Sequence, residues 1–172
     1  MSNEEVQSQP ERLSFQGSCF CGDATFRVEG EPLISVFCHC TVCQRLNGCS
    51  VVHGLHYPSG SFTWTHGNPD AIFTKASKGH AWTVWRCQRC YTFIAAHNGS
   101  EEKWSVKGSH FKRNAKGSIE NWDLVKPTAH IFYSTRMFDV LDDLPKWEGY
   151  EYKSARMFVG AVEENSEGKV VA

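Results

Sequence analysis

Apolar and polar residues alternate along most of this chain in short bursts. The segments ATFRVEG (24–30), LISVF (33–37), SVVHGLHY (50–57), SFTWTHG (61–67), AIFTKA (71–76), AWTVWR (81–86), YTFIAA (91–96) and KWSVKG (103–108) are rich in β-branched and aromatic residues. Each is too short for a stable helix and is read as a strand. Turn signals separate them, notably PSG (58–60), GNPD (67–70) and SKG (77–79). Short strands at this rhythm predict a mainly β domain of antiparallel sheets. Two stretches, TVCQRLN (41–47) and STRMFDVL (134–141), invite short helical turns, and no internal repeat is visible.

At 172 residues the chain can bury one core of ordinary size. Residues 1–12 and 161–172 carry too little apolar surface to offset the entropy of ordering, so a single domain over 13–160 flanked by two loose tails is expected. The 18 basic and 19 acidic side chains nearly cancel, and the sequence pI is about 6.7. That balance lacks the positive surplus that drives binding to nucleic acid or acidic lipid, so neither is an expected partner. No apolar run approaches the roughly 18 residues of a membrane span, and the opening MSNEEVQSQPER is polar. A soluble, cytoplasmic protein is the expectation.

Eight cysteines change the picture, because in a reducing compartment clustered thiols serve metals or chemistry more readily than disulfides. Cys19 and Cys21 form a C-x-C, Cys38, Cys40 and Cys43 a C-x-C-x-x-C, and Cys87 and Cys90 a C-x-x-C; Cys49 stands apart. In extended chain, residues two apart face one side, while a C-x-x-C wraps a tight turn around an ion. Cys19, Cys21, Cys87 and Cys90 together would close a four-sulfur structural zinc site that ties the first hairpin to a strand some seventy residues on. Cys38, Cys40 and Cys43 would then hold a second zinc with a fourth position open, the arrangement of a catalytic ion. Spacing alone leaves other groupings open, with Cys49, His39, His53 or His56 completing the second shell.

The ordered set C-x-C, C-H-C-x-x-C and C-x-x-C resembles the glutathione-dependent formaldehyde-activating enzymes, whose relatives include centromere protein V. The resemblance runs through GSCFCGDATFRVEG (17–30), FCHCTVCQRLNG (37–48), GSFTWTHGNPDAIFTKAS (60–77), CQRC (87–90) and AHIFYSTRMFDVLDDLPKWEG (129–149). It implies a twisted arrangement of antiparallel sheets and two zinc ions per chain. Cys19, Cys21, Cys87 and Cys90 would hold the structural ion, and Cys38, Cys40 and Cys43 the catalytic one. It also implies a carbon–sulfur lyase or synthase reaction in which glutathione adds to formaldehyde to give S-hydroxymethylglutathione. The chain departs from the family pattern at Arg86, where an aromatic residue is usual, and at Tyr91 and Thr92, where a glycine and a small hydroxyl residue are usual. Phe138 replaces a common tryptophan and Cys49 a small residue.

Three thiolates make zinc a poor Lewis acid but suit it to binding an incoming thiol and lowering its pKa. The nucleophile then belongs to the substrate, which is glutathione or another small thiol adduct. Its carboxylates need a cation, for which Arg45 beside Cys43, or Lys112, Arg113 and Lys116 in HFKRNAKG (110–117), are candidates. Two further readings are a related enzyme acting on a different thiol adduct or biosynthetic intermediate, and a non-catalytic zinc-stapled interaction module. A homo-oligomer is compatible with all three.

Overall fold

The computed structural model describes residues 13–65, 73–76 and 81–158. Both expected tails therefore lie outside the described residues, as do the GNPD and SKG turns. Among the described residues, twelve strands form two sheets. Strands β1 (Ser14–Ser18), β2 (Thr25–Glu29) and β5 (Phe62–Trp64) make a small antiparallel sheet. The larger sheet uses β3 (Ile34–Cys38), β4 (Val52–Pro58), β6 (Phe73–Ala76), β7 (Trp82–Cys87), β8 (Phe93–Asn98), β9 (Lys103–Lys107), β10 (Ala129–Ile131), β11 (Lys146–Trp147) and β12 (Arg156–Met157). Its order is β12-β11-β10-β3-β4-β9-β8-β7-β6.

All eight strands expected from the alternation are present, most within one or two residues of their expected bounds. The sheet is not wholly antiparallel, however: β10 runs parallel to both β3 and β11. The chain reaches β10 through a long connection from β9 that includes α2 (Trp122–Val125), which allows it to enter beside β3 in the same direction. Helix α1 (Thr41–Asn47) coincides with the first expected helical stretch. The second does not form a helix. A 3-10 turn covers Tyr133–Thr135, and Arg136 returns to extended backbone. There the Tyr133 hydroxyl accepts from the Val140 amide, and Arg136 pairs with Asp139, so local side-chain bonds replace helical ones.

The main core lies between the small sheet and one face of the large one. Phe15, Phe26, Val28 and Phe62 pack there with Leu55, Tyr57, Ile94, Ala95 and Val106. An aromatic stack knits the layers, with Phe62 stacked 4.0 Å from Trp104 and 5.4 Å from Phe26, and Trp104 4.8 Å from Trp85. Gly17 lets the Phe26 ring lie over its strand, since a Cβ there would meet the ring at 2.3 Å. The opposite face of the large sheet carries Val36 and Cys38, and this face positions the second cysteine cluster.

Candidate metal centres

Two groups of cysteines converge, each with all its sulfurs within 4.8 Å of one another. In the first, Cys19 and Cys21 follow β1, and Cys87 ends β7 with Cys90 in the next turn. The Cys19 and Cys21 sulfurs are 3.5 Å apart and those of Cys21 and Cys87 3.7 Å. Zinc–sulfur bonds of about 2.3 Å in a tetrahedron would separate sulfurs by roughly 3.8 Å, so the donor set fits that ion. Two tight turns shape it. The Cys19 amide donates to the Ala24 carbonyl, with Gly22 at φ 82°, and the Cys87 amide donates to the Thr92 carbonyl, with Tyr91 at φ 57°. A two-pronged ion pair from Arg89 to Asp23, both contacts 3.1 Å, ties one turn to the other.

The second group is Cys38, Cys40 and Cys43. Cys38 is the last, buried residue of β3, Cys40 caps α1 by accepting from the Cys43 amide at 3.3 Å, and Cys43 lies in the first turn. Hydrogen bonding to Cys40 and Cys43, with burial, pushes the Cys38 thiol well up, while bonds from Cys38 and Cys43 hold Cys40 down at about 2. Three sulfurs within 4.8 Å of one another offer a preformed seat for a cation. Among the described residues the cluster stops at three. The Cys49 sulfur is exposed and donates to the Val51 carbonyl. His53 bonds Ser35 and the Val125 carbonyl, and His56 stacks near Trp82.

His39 takes no place among the three donors and instead heads a buried network behind them. Its Nε2 lies 2.8 Å from His130 Nδ1, and His130 Nε2 lies 2.8 Å from the Asp142 carboxylate. Burial works against the Asp142 charge, but hydrogen bonds from Lys146 and His130 keep its carboxyl below the usual range. With Asp142 ionised, His130 donates to it through Nε2 and accepts from His39 through Nδ1. Burial, then the neighbouring His130, lowers His39 to about 4, so it is neutral. The Gln44 side-chain amide and the Thr135 hydroxyl both donate to the His39 carbonyl. The backbone linking Cys38 to Cys40 is thereby fixed from both sides. His130, Asp142 and Lys146 went unseen in the sequence because residues about ninety and more apart carry no common spacing.

Arg45 lies exposed in the last turn of α1. Lys112 pairs with Glu120, Arg113 donates to the Gly117 carbonyl, and Lys116 is exposed. A cavity of about 610 Å³ lies between α1, β4, β9 and the Cys87–Cys90 turn, with Cys90 of the first group in its wall. Its wall includes Asn47, whose side chain donates to the Cys43 carbonyl at 2.8 Å, and the buried Lys107.

Residues 14–135 match the family model described as glutathione-dependent formaldehyde-activating enzyme. The chain belongs to that family. The match spans every cysteine of both centres, and the GFA family frame ends at Thr135, before Asp142 and Lys146. A search of curated proteins finds no match. Among solved structures, a Rhodobacter sphaeroides protein determined as a structural-genomics target is similar at 19% identity, with a TM-score of 0.44, over 60% of this chain and 96% of its own. No helix among the described residues is long and apolar enough to cross a membrane.

Proposed function

We propose that this GFA-family protein is a zinc-dependent carbon–sulfur lyase or synthase acting on glutathione adducts, nominally joining glutathione and formaldehyde. The observation that carries the reading is the contrast between the two cysteine groups: four sulfurs in one and three in the other. Cys19, Cys21, Cys87 and Cys90 hold a closed, structural zinc. Cys38, Cys40 and Cys43 would hold a second, which would supply the chemistry of binding a substrate thiol and favouring its thiolate. All clustered cysteines are ligands, so the attacking sulfur is the substrate's own. In the synthetic direction a sulfur–carbon bond forms to formaldehyde, its carbonyl oxygen gains a proton, and the thiol proton is released; cleavage reverses each change. The His39, His130 and Asp142 network holds the Cys38–Cys40 backbone still while ligands exchange. Arg45 is assigned to a substrate carboxylate from the outer side of α1; being exposed, it contributes at most about 1 kcal/mol.

Cobalt substitution tests this. Glutathione should intensify the thiolate-to-cobalt bands, S-methylglutathione should change them far less, and formaldehyde should be consumed when glutathione is present. A spectrum indifferent to millimolar glutathione, with formaldehyde untouched, would overturn the reading and favour another thiol adduct or a non-catalytic module.

A further inference from the structure

Among the described residues two lysines are buried, and their surroundings differ. The ammonium of Lys146 (6% exposed) donates to the Asp142 carboxylate at 2.5 Å and to the Asp142 and Leu144 carbonyls at 2.8 and 2.9 Å. That of Lys107 (5% exposed) has one long hydrogen bond among the described residues, 3.4 Å to the Ser105 hydroxyl, and stands 4.6 Å over the Phe93 ring. A buried ammonium with a single weak acceptor is costly unless an anion joins it. Burial accordingly lowers its pKa, against the pull of the nearby thiolates.

Its position says where that anion would lie. Lys107 pairs across the ladder with Gly54, which in turn pairs with Val36, two residues before Cys38. Residues directly opposite in antiparallel strands share a face, so Lys107 and Cys38 lie on one side of the sheet, two strands across and two residues along, roughly 12 Å apart. Gly54, which lies between Lys107 and Val36, presents no side chain, and the space above it is open. Lys107 lines the 610 Å³ cavity, and so does His110, whose Nδ1 is buried without a hydrogen-bond partner. Arg86, on the same wall, donates to the Leu46 and Tyr91 carbonyls and joins α1 to the Cys87–Cys90 turn. Arg45 is not among the residues lining this cavity.

We propose that this cavity is an anion subsite for a carboxylate carried by a small thiol, with Lys107 and the Nδ1–H of His110 as its donors. The assignment rests on the reading of Cys38, Cys40 and Cys43 as the thiol site, because only then do sulfur and carboxylate belong to one ligand. The subsite fixes which thiols are accepted: acidic ones are held at both ends, neutral ones at the sulfur alone.

S-methylglutathione separates the two ends, since it keeps both carboxylates and lacks an ionisable sulfur. Calorimetric titration of the zinc-loaded full chain should show binding weakened about 10- to 100-fold by Lys107→Met. The dimethyl ester of the same compound should bind wild type and variant alike. In wild-type protein carrying isotope-labelled lysine, S-methylglutathione should also shift the Lys107 resonance, a readout that holds whether or not the variant folds. Equal affinity of wild type and a folded variant, or a Lys107 resonance unmoved at millimolar ligand, would overturn the subsite. Mercaptoethanol, a thiol without a carboxylate, probes the three-cysteine centre alone in the cobalt form. A cobalt spectrum that ignores it while Lys107 answers S-methylglutathione overturns the thiol-site reading and supports the subsite by itself.

Discussion

Tyr91 follows the C-x-x-C pair with φ at 57°, a conformation in which a Cβ crowds the following carbonyl oxygen. The turn needs that backbone, because the Tyr91 amide donates to the Cys87 carbonyl at 2.9 Å as the chain closes around the first metal centre. A glycine would adopt it without the steric penalty. The ring itself is 71% exposed, so little packing offsets the strain. Tyr91→Gly is expected to stabilise the zinc-loaded protein by about 0.5 to 1 kcal/mol, and Tyr91→Ala, which keeps the Cβ, by nothing measurable. Thermal unfolding of the three proteins compares them directly, and equal gains from glycine and alanine would show that the strain resides elsewhere.

At the scale of elements, the two cysteine groups do different structural work. The first joins the end of β1 to the turn between β7 and β8, and Cys21 and Cys87, whose sulfurs lie 3.7 Å apart, are separated by 66 positions in sequence. The second is local, a strand end and the first turn of α1. Closing a long loop through metal restricts the unfolded chain far more than closing a short one. Cys87→Ser should therefore cost about 3 kcal/mol or more, and Cys38→Ser about 1, while both abolish activity. Denaturant titration measures the difference, and equal losses would mark the second group as structural too. Strands β3 and β7, which end in Cys38 and Cys87, were legible because alternation is local, and C-x-C and C-x-x-C turns announce themselves by spacing; β1, with one large apolar residue in SFQGS, was not among the expected strands. Strands β10 to β12 were not: two or three residues long, they hold place by pairing with β3 and with each other rather than by any pattern of their own. Lys107 was missed for a related reason. In KWSVKG it reads as the polar end of a strand, and the Phe93 ring that its ammonium stands over belongs to a different strand.

For the whole molecule, one face of the large sheet is a conventional apolar core and the other carries the chemistry. The aromatic stack from Phe26 through Phe62 and Trp104 to Trp85 stiffens the first. On the second, Val36, open Gly54 and Lys107 lie in a row across β3, β4 and β9, two residues along from Cys38 of the three-cysteine group. A centre of four sulfurs and a centre of three should differ in how readily each exchanges a metal. Native mass spectrometry of the anaerobically purified chain, before and after a chelator, tests it most directly. Two zinc ions per chain should be present at first. One should leave on chelation without loss of fold, and the other only on unfolding. A single ion, or two that resist the chelator equally, would contradict the account.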